Sequence, residues 1–189
     1  SVGILAGYHS ILALHTSAIL RTASNDNDMW GRGMEVSEGA TASVSECIFE
    51  DNREVSVLVW DAGSQLQMDG SIVRNTTHSP GGYSGRGMHV AGGATASMAG
   101  CLFEVNAGIG VIAQEPGTMI SLVATAARDN SPNKNEEFGF GMKVLDGASG
   151  WIERSLFEGN HEVGVSAGNP GTNVELTGAV VRNTQPSPQ

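Results

Sequence analysis

Gly31–Asn52 reads GRGMEVSEGATASVSECIFEDN. The stretch returns at Gly85–Asn106 as GRGMHVAGGATASMAGCLFEVN, and at Gly139–Asn160 as GFGMKVLDGASGWIERSLFEGN. The step, 31 to 85 and 85 to 139, is 54 residues both times. A fixed period of this kind identifies a repeat architecture before any single residue is interpreted.

Each 54-residue unit is itself double. Ala42–Asn52 (ASVSECIFEDN) aligns with Leu66–Thr76 (LQMDGSIVRNT), Ala96–Asn106 with Ile120–Asn130, and Gly150–Asn160 with Val174–Thr184. The elementary unit is therefore a coil of about 24 residues, with every second coil lengthened by an insertion. Its apolar residues come in short period-2 pairs, Met34/Val36 and Ala42/Val44, broken by Gly, Ser, Asn and Asp. That is the pattern of short strands and turns. No stretch holds a 3.6-residue period for three turns, so no helix is expected.

Short strands at this spacing, without helical connections, predict a solenoid in which each coil stacks on the next at the parallel-strand spacing. The signatures Cys47-Ile-Phe-Glu-Asp-Asn52 and Ser71-Ile-Val-Arg-Asn-Thr76 resemble the repeats of right-handed parallel β-helix proteins. Pectate lyases, alginate epimerases, phage tailspikes and many bacterial surface proteins share that fold. The resemblance implies an all-β, single-stranded right-handed parallel β-helix of about seven coils with a 54-residue double-coil repeat. The coils are expected at roughly 1–30, 31–54, 55–84, 85–108, 109–138, 139–162 and 163–185, one domain over 1–185 with a polar tail at 186–189. The fold implies no single activity, because it hosts many.

The chain of 189 residues has 26 glycines and 5% aromatics, which suits tight turns around a narrow aliphatic bore. Its net charge is −10, with lysine only at positions 134 and 143. That balance argues against a nucleic acid or an anionic membrane surface as partner. No segment is apolar enough to span a bilayer, and no signal peptide is recognisable. Cys47 and Cys101 fall two coils apart, at about 9.6 Å, beyond disulfide reach, and are expected as free buried thiols. Neither end looks like a cap. Further solenoid coils, other domains or partner chains are expected there.

Four sets of residues stand out. Phe49, Phe103 and Phe157 should form one interior column, alternating with Val73, Ala127 and Val181. Asn52, Asn106, Asn130 and Asn160, with Thr76 and Thr184, should occupy one tight turn, where asparagine tolerates left-handed backbone and bonds neighbouring main chain. Arg21, Glu50, Arg74, Glu104, Arg128, Glu158 and Arg182 alternate in sign from coil to coil and should form a ladder of ion pairs that helps fix the register. The insertions Ser24–Trp30, Thr77–Ser84 and Ser131–Phe138 should gather on one edge. Trp30, Arg32, His78, Tyr83, Arg86, Phe138 and Phe140 lie in or just after them. They are the candidate groove for a glycan, or else rings that cover the strand edges.

Catalytic and metal signals are sparse. Lyases of this fold resemble one another in using acidic clusters for calcium beside a Lys or Arg base. Asn25-Asp26-Asn27-Asp28 and Glu136-Glu137 are the densest acidic stretches, and the first lacks the continuation of a calcium-binding loop. The five histidines share no repeat position and are expected to be exposed or hydrogen-bonding. No cofactor, metal or catalytic residue is assigned. The sequence therefore points to a non-catalytic extracellular β-solenoid segment, secreted or at the cell surface, acting as scaffold, stalk or adhesive module in contact with polysaccharide. The alternatives are a polysaccharide lyase or epimerase, whole or in part, and a tailspike-like virion element.

Overall fold

The computed structural model describes residues 1–25, 30–80, 85–133 and 139–186. Three parallel sheets of seven strands run the length of the molecule. The first sheet contains Val2–Ala6, Arg32–Val36, Val55–Val59, Arg86–Val90, Ile109–Gln114, Phe140–Leu145 and Val165–Gly168. The second contains Ile11–His15, Thr41–Ser45, Gln65–Asp69, Thr95–Ala99, Met119–Val123, Ser149–Glu153 and Asn173–Thr177. The third contains the three-residue strands Ala18–Leu20, Ile48–Glu50, Ile72–Arg74, Leu102–Glu104, Ala126–Arg128, Leu156–Glu158 and Val180–Arg182. No helix occurs among the described residues. The chain visits the three sheets in turn, one coil per circuit, so each strand pairs with its equivalents in the coils before and after. This is a parallel β-helix of seven coils.

Alternation along each strand sets the bore. Met34 and Val36, Ala42 and Val44, and Phe49 turn inward in one coil, and their equivalents form the core of coils 1 to 6, with Gly150 supplying no side chain. The third-sheet column reads Ile19, Phe49, Val73, Phe103, Ala127, Phe157, Val181 in register. The three phenylalanines are at most 1% exposed, and small residues separate them. Large and small side chains thus alternate along the axis, as filling a narrow bore to crystal-like density requires. Val181, on the last coil, is 48% exposed. Cys47 and Cys101 are free and buried, and burial pushes the Cys101 thiol up.

The turn after the third sheet holds the asparagine ladder. Asn52, Asn106, Asn130 and Asn160 are buried, as is Thr76. Asn52 Oδ1 accepts from Thr22 N, Asn106 Oδ1 from Thr76 N, Asn130 Oδ1 from Asn106 N, and Asn160 Oδ1 from Asn130 N, at 3.0–3.3 Å. The amide nitrogens of Asn52, Asn106 and Asn160 donate to the carbonyls of Ile19, Val73 and Ala127. The left-handed residue is not this asparagine but the one before it: Arg21, Asp51, Asn75, Val105, Asp129, Gly159 and Asn183 have φ between 53° and 64°. The buried asparagine is selected for its amide, not for its tolerance of left-handed backbone.

The ladder explains the second glycine of the G-x-G-M motif. A Cβ on Gly33, Gly87, Gly110 or Gly141 would lie 2.7–2.9 Å from the amide nitrogen of the asparagine that closes its own coil, and closer still to a carbonyl oxygen. The third coil ends in the smaller Thr76, and there Ser56 replaces the glycine. Its hydroxyl bridges Thr76 Oγ1 at 2.7 Å and accepts from Asn52 Nδ2 at 3.3 Å.

The charge row departs from expectation at its start. Leu20, not Arg21, pairs with Glu50. Arg21 falls one residue later, in the left-handed corner, with its Nε 3.6 Å from Asp51. The first coil reaches this register because Ile19, rather than Leu20, takes the bore position of Phe49 and Val73. From Glu50 onward the row alternates in register. Arg74 lies 2.9 Å from Glu50 and 3.9 Å from Glu104, and Arg128 donates to Glu104 Oε2 through both Nε and Nη2. Arg182 lies 2.8 Å from Glu158. Arg128 and Glu158 are register partners, yet no ion pair joins them among the described residues, since Arg128 turns to Glu104.

Candidate groove on the outer face of the first sheet

In each first-sheet strand the residues facing away from the bore lie three apart. Arg32 and Glu35 do so in coil 2, Val55 and Leu58 in coil 3, Arg86 and His89 in coil 4, Ile109 and Ile112 in coil 5, and Phe140 and Lys143 in coil 6. Polar and apolar coils therefore alternate from coil 2 to coil 5, and coil 6 carries one residue of each kind. Val55, Leu58, His89, Ile109, Ile112 and Phe140 are buried although they point outward.

Arg32, Glu35, Glu54, Val55, Leu58, Trp60, Arg86 and His89 line a pocket of about 410 Å³. Arg32 is held at one side by an ion pair of 2.7 Å with Glu35. At the other side Arg86 Nη1 lies 3.1 Å from His89 Nδ1. A guanidinium can only donate, so Nδ1 accepts and the neutral ring carries its proton on Nε2. Burial, then the nearby guanidinium groups of Arg86 and Arg32, push His89 down to about 3. The imidazole is thus neutral at any ordinary pH. Burial also lowers Arg86, against the opposing charge of Glu54. Trp60 meets the His89 ring edge-on, with centroids 6.3 Å apart. His89 Nε2 and Arg32 Nε are buried without a hydrogen-bond partner among the described residues. Nearly all buried polar groups are paired; of the four unmet buried side-chain nitrogens among the described residues, these two fall in one pocket lining, and Arg74 Nε and His161 Nδ1 lie elsewhere.

The residues expected to form a groove are distributed as follows. Arg32 and Arg86 line the pocket together. Trp30 is not in the lining; it is 43% exposed, with the Arg32 guanidinium 5.5 Å over its ring. His78 is half-buried, lies outside the pocket lining, and its Nδ1 is 3.0 Å from the Ser79 carbonyl oxygen. Phe140 is buried in a separate apolar cluster with Ile109 and Ile112, and Lys143 Nζ lies 5.0 Å over its ring. Tyr83 and Phe138 lie outside the described residues, as do Asp26, Asp28, Glu136 and Glu137. Glu35, Glu54, Leu58, Trp60 and His89 were not among the expected groove residues. The signal for two of them was present: Glu35 and His89 follow Arg32 and Arg86 by three residues, the spacing that returns to the same face across the bend at Gly33 and Gly87. A second pocket, of about 170 Å³, shares Arg86 and is lined otherwise by Gly108, Ile109, Ile112, Gln114, Asn133, Lys143 and Leu145.

No family profile matches the sequence, and no curated protein matches it. Among solved structures, that of pectate lyase Pel9A is similar over 83% of this chain at 18% identity, with a TM-score of 0.48. The chain spans about half, 52%, of that protein's length. The architecture rests on the strand pairing itself: three parallel sheets, seven strands in each, make the chain a parallel β-helix solenoid.

Proposed function

We propose that the chain is a non-catalytic segment of a secreted or surface-exposed β-solenoid, acting as a rigid scaffold with one polysaccharide-contacting face. The observation that carries this reading is the continuity of the stack. The three sheets stay in register through seven coils, and the asparagine ladder and the charge row commit their polar groups to neighbouring coils. A body built this way holds a surface groove in fixed geometry, as recognition on a preorganised scaffold requires. The last coil favours an axial partner: Val163, Val165, Val174, Leu176 and Val181 line a depression of about 530 Å³ there. On coil 1 the outward-facing Leu5 and Ile11, 62% and 87% exposed, offer an apolar flank. Further coils, other domains or partner chains fit these surfaces.

The test is incubation of the purified chain with neutral and acidic polysaccharides, followed by mass spectrometry of the soluble fraction. Retention of polysaccharide with no shortened or unsaturated product is expected. Product release that disappears in Arg86→Ala would overturn the reading in favour of a carbohydrate-active enzyme.

A further inference from the structure

We infer that the pocket over coils 2 to 4 binds one ring of a neutral polysaccharide. The ring lies against the half-buried Trp60, above the buried Val55 and Leu58, with its rim between Arg32 and Glu35 on one side and Arg86 and His89 on the other. The inference rests on reading this face as the contact surface and names its ligand.

The arrangement of the lining carries the argument. Coil 3 contributes an apolar strip one strand wide, and coils 2 and 4 bracket it with hydrogen-bonding groups. At the parallel spacing the two polar rows stand about 9.6 Å apart. The complement is a flat body with an apolar face and a hydrogen-bonding rim. A pyranose ring has that form: C–H groups on its faces and hydroxyls around its edge. Its C–H face suits the electron-rich face of an indole. Trp60 is held in orientation by its edge contact with His89.

Polarity specifies the rim. His89 is 7% exposed, and its Nε2–H has no partner among the described residues, nor has Arg32 Nε–H. Both belong to residues of the lining but are sealed from solvent, and each would gain from an oxygen acceptor reached by a small side-chain rotation. Glu35 and Glu54 supply acceptors in the same pocket, so a hydroxyl, which donates and accepts, is served on both counts.

Charge in this first pocket is balanced and gives a polyanion no net attraction. The lining holds two guanidinium groups, two carboxylates and a neutral imidazole. The chain as a whole carries −10 and repels an acidic polymer approaching from solution.

The ligand is a chain and not a single sugar, because the arrangement recurs. Ile109 and Ile112 form a second apolar strip, between Arg86 and His89 of coil 4 and Lys143 of coil 6, and the second pocket lies over it, sharing Arg86. Two adjoining subsites along the axis suit consecutive portions of one linear glycan.

The test uses the whole chain labelled with 5-fluorotryptophan, whose three sites are Trp30, Trp60 and Trp151. Fluorine NMR follows titration with cello-, xylo- and mannohexaose, and with hexagalacturonate as the acidic probe. The Trp60 resonance should shift with at least one neutral hexasaccharide while that of Trp151, on the second sheet, stays put. Calorimetry with the same sugar should show a loss of about tenfold in Trp60→Ala, a smaller loss in His89→Gln, and none in Trp151→Ala. The fluorine readout is made on the unmutated chain, so it holds even if Trp60→Ala fails to fold. Shifts confined to Trp151, no shift with any neutral sugar, or a response to hexagalacturonate alone would overturn the inference. Those outcomes leave the scaffold reading standing. Cleavage of a bound neutral sugar would instead overturn the non-catalytic reading and leave the site in place.

Discussion

Asn106 uses both halves of its amide inside the wall of the coil. Oδ1 accepts from Thr76 N at 3.1 Å, and Nδ2 donates to Asn130 Oδ1 at 3.1 Å and to the Val73 carbonyl at 3.4 Å. Truncation to alanine strands the Thr76 N–H where no water reaches it, at a cost of about 1–3 kcal/mol, and removes a second donor from the Val73 carbonyl, which stays in the strand ladder. Asn106→Ala should therefore lower stability by about 1–3 kcal/mol, measured from the shift of the urea midpoint. Asn106→Asp should not rescue it, because a carboxylate cannot donate to Val73 and its charge would be buried. One position earlier the demand is on the backbone. Val105 sits at φ 55° with its side chain 48% exposed. Left-handed backbone costs a β-branched residue roughly 1–2 kcal/mol, and the exposed valine recovers little in packing. Val105→Asn should raise stability by about 1 kcal/mol in the same assay, and a loss would show that packing of the valine outweighs its backbone strain. The ladder was legible in the sequence because Asn recurs at a fixed place, but its partner was not. The glycine of G-x-G-M is the complement of the asparagine amide some twenty residues on, and only the Ser56–Thr76 pair, where both change together, reveals it.

At the scale of the element, the three-residue strands of the third sheet are too short to hold register by backbone bonding alone. Their outer row adds a charge pattern. Glu104 stands between Arg74 and Arg128, with side-chain exposures of 16%, 38% and 44%. Single exposed pairs contribute about 0.2–1 kcal/mol, so Glu104→Gln should cost no more than about 1–2 kcal/mol. Glu104→Arg would set three guanidinium groups in file and should cost clearly more. Raising the salt to 1 M should narrow the difference, since screening acts on repulsion between exposed charges. Equal denaturation midpoints for the two variants would remove the row from any role in register. Sequence alignment alone placed Arg21 in this row. It failed there because coil 1 has one residue fewer between the arginine and the closing threonine: Arg21-Thr22 stands where Asn75-Thr76 stands, so Leu20 takes the row position of Arg74. The repeat is readable where the arginine keeps its distance from the closing residue and slips where that spacing is one residue shorter.

At the scale of the molecule, the solenoid reads clearly from the sequence because each coil repeats the same inward set. The groove read less well. Inward residues recur on every coil, so periodicity finds them; outward residues of the first sheet change from polar to apolar between successive coils, and no single copy contains a whole subsite. Arg32 and Arg86 were visible as repeat partners, whereas Trp60 and His89 come from adjacent coils of unlike sequence and meet only through stacking. Both the groove and the ladders therefore depend on one strand triplet per coil at parallel spacing. Spin labels on the exposed outer row of the second sheet measure that most directly. With Cys47 and Cys101 replaced by alanine, one pair joins Ser43 to Ser121 and another Ser43 to Glu175, three and five strand steps apart in the observed register. The expected backbone separations are ~14 Å and ~24 Å, so the two electron–electron distance distributions should be narrow and differ by ~10 Å, a difference in which the label lengths cancel. Equal distances, or a longer distance for the nearer pair, would contradict the seven-coil stack and with it the groove built upon it.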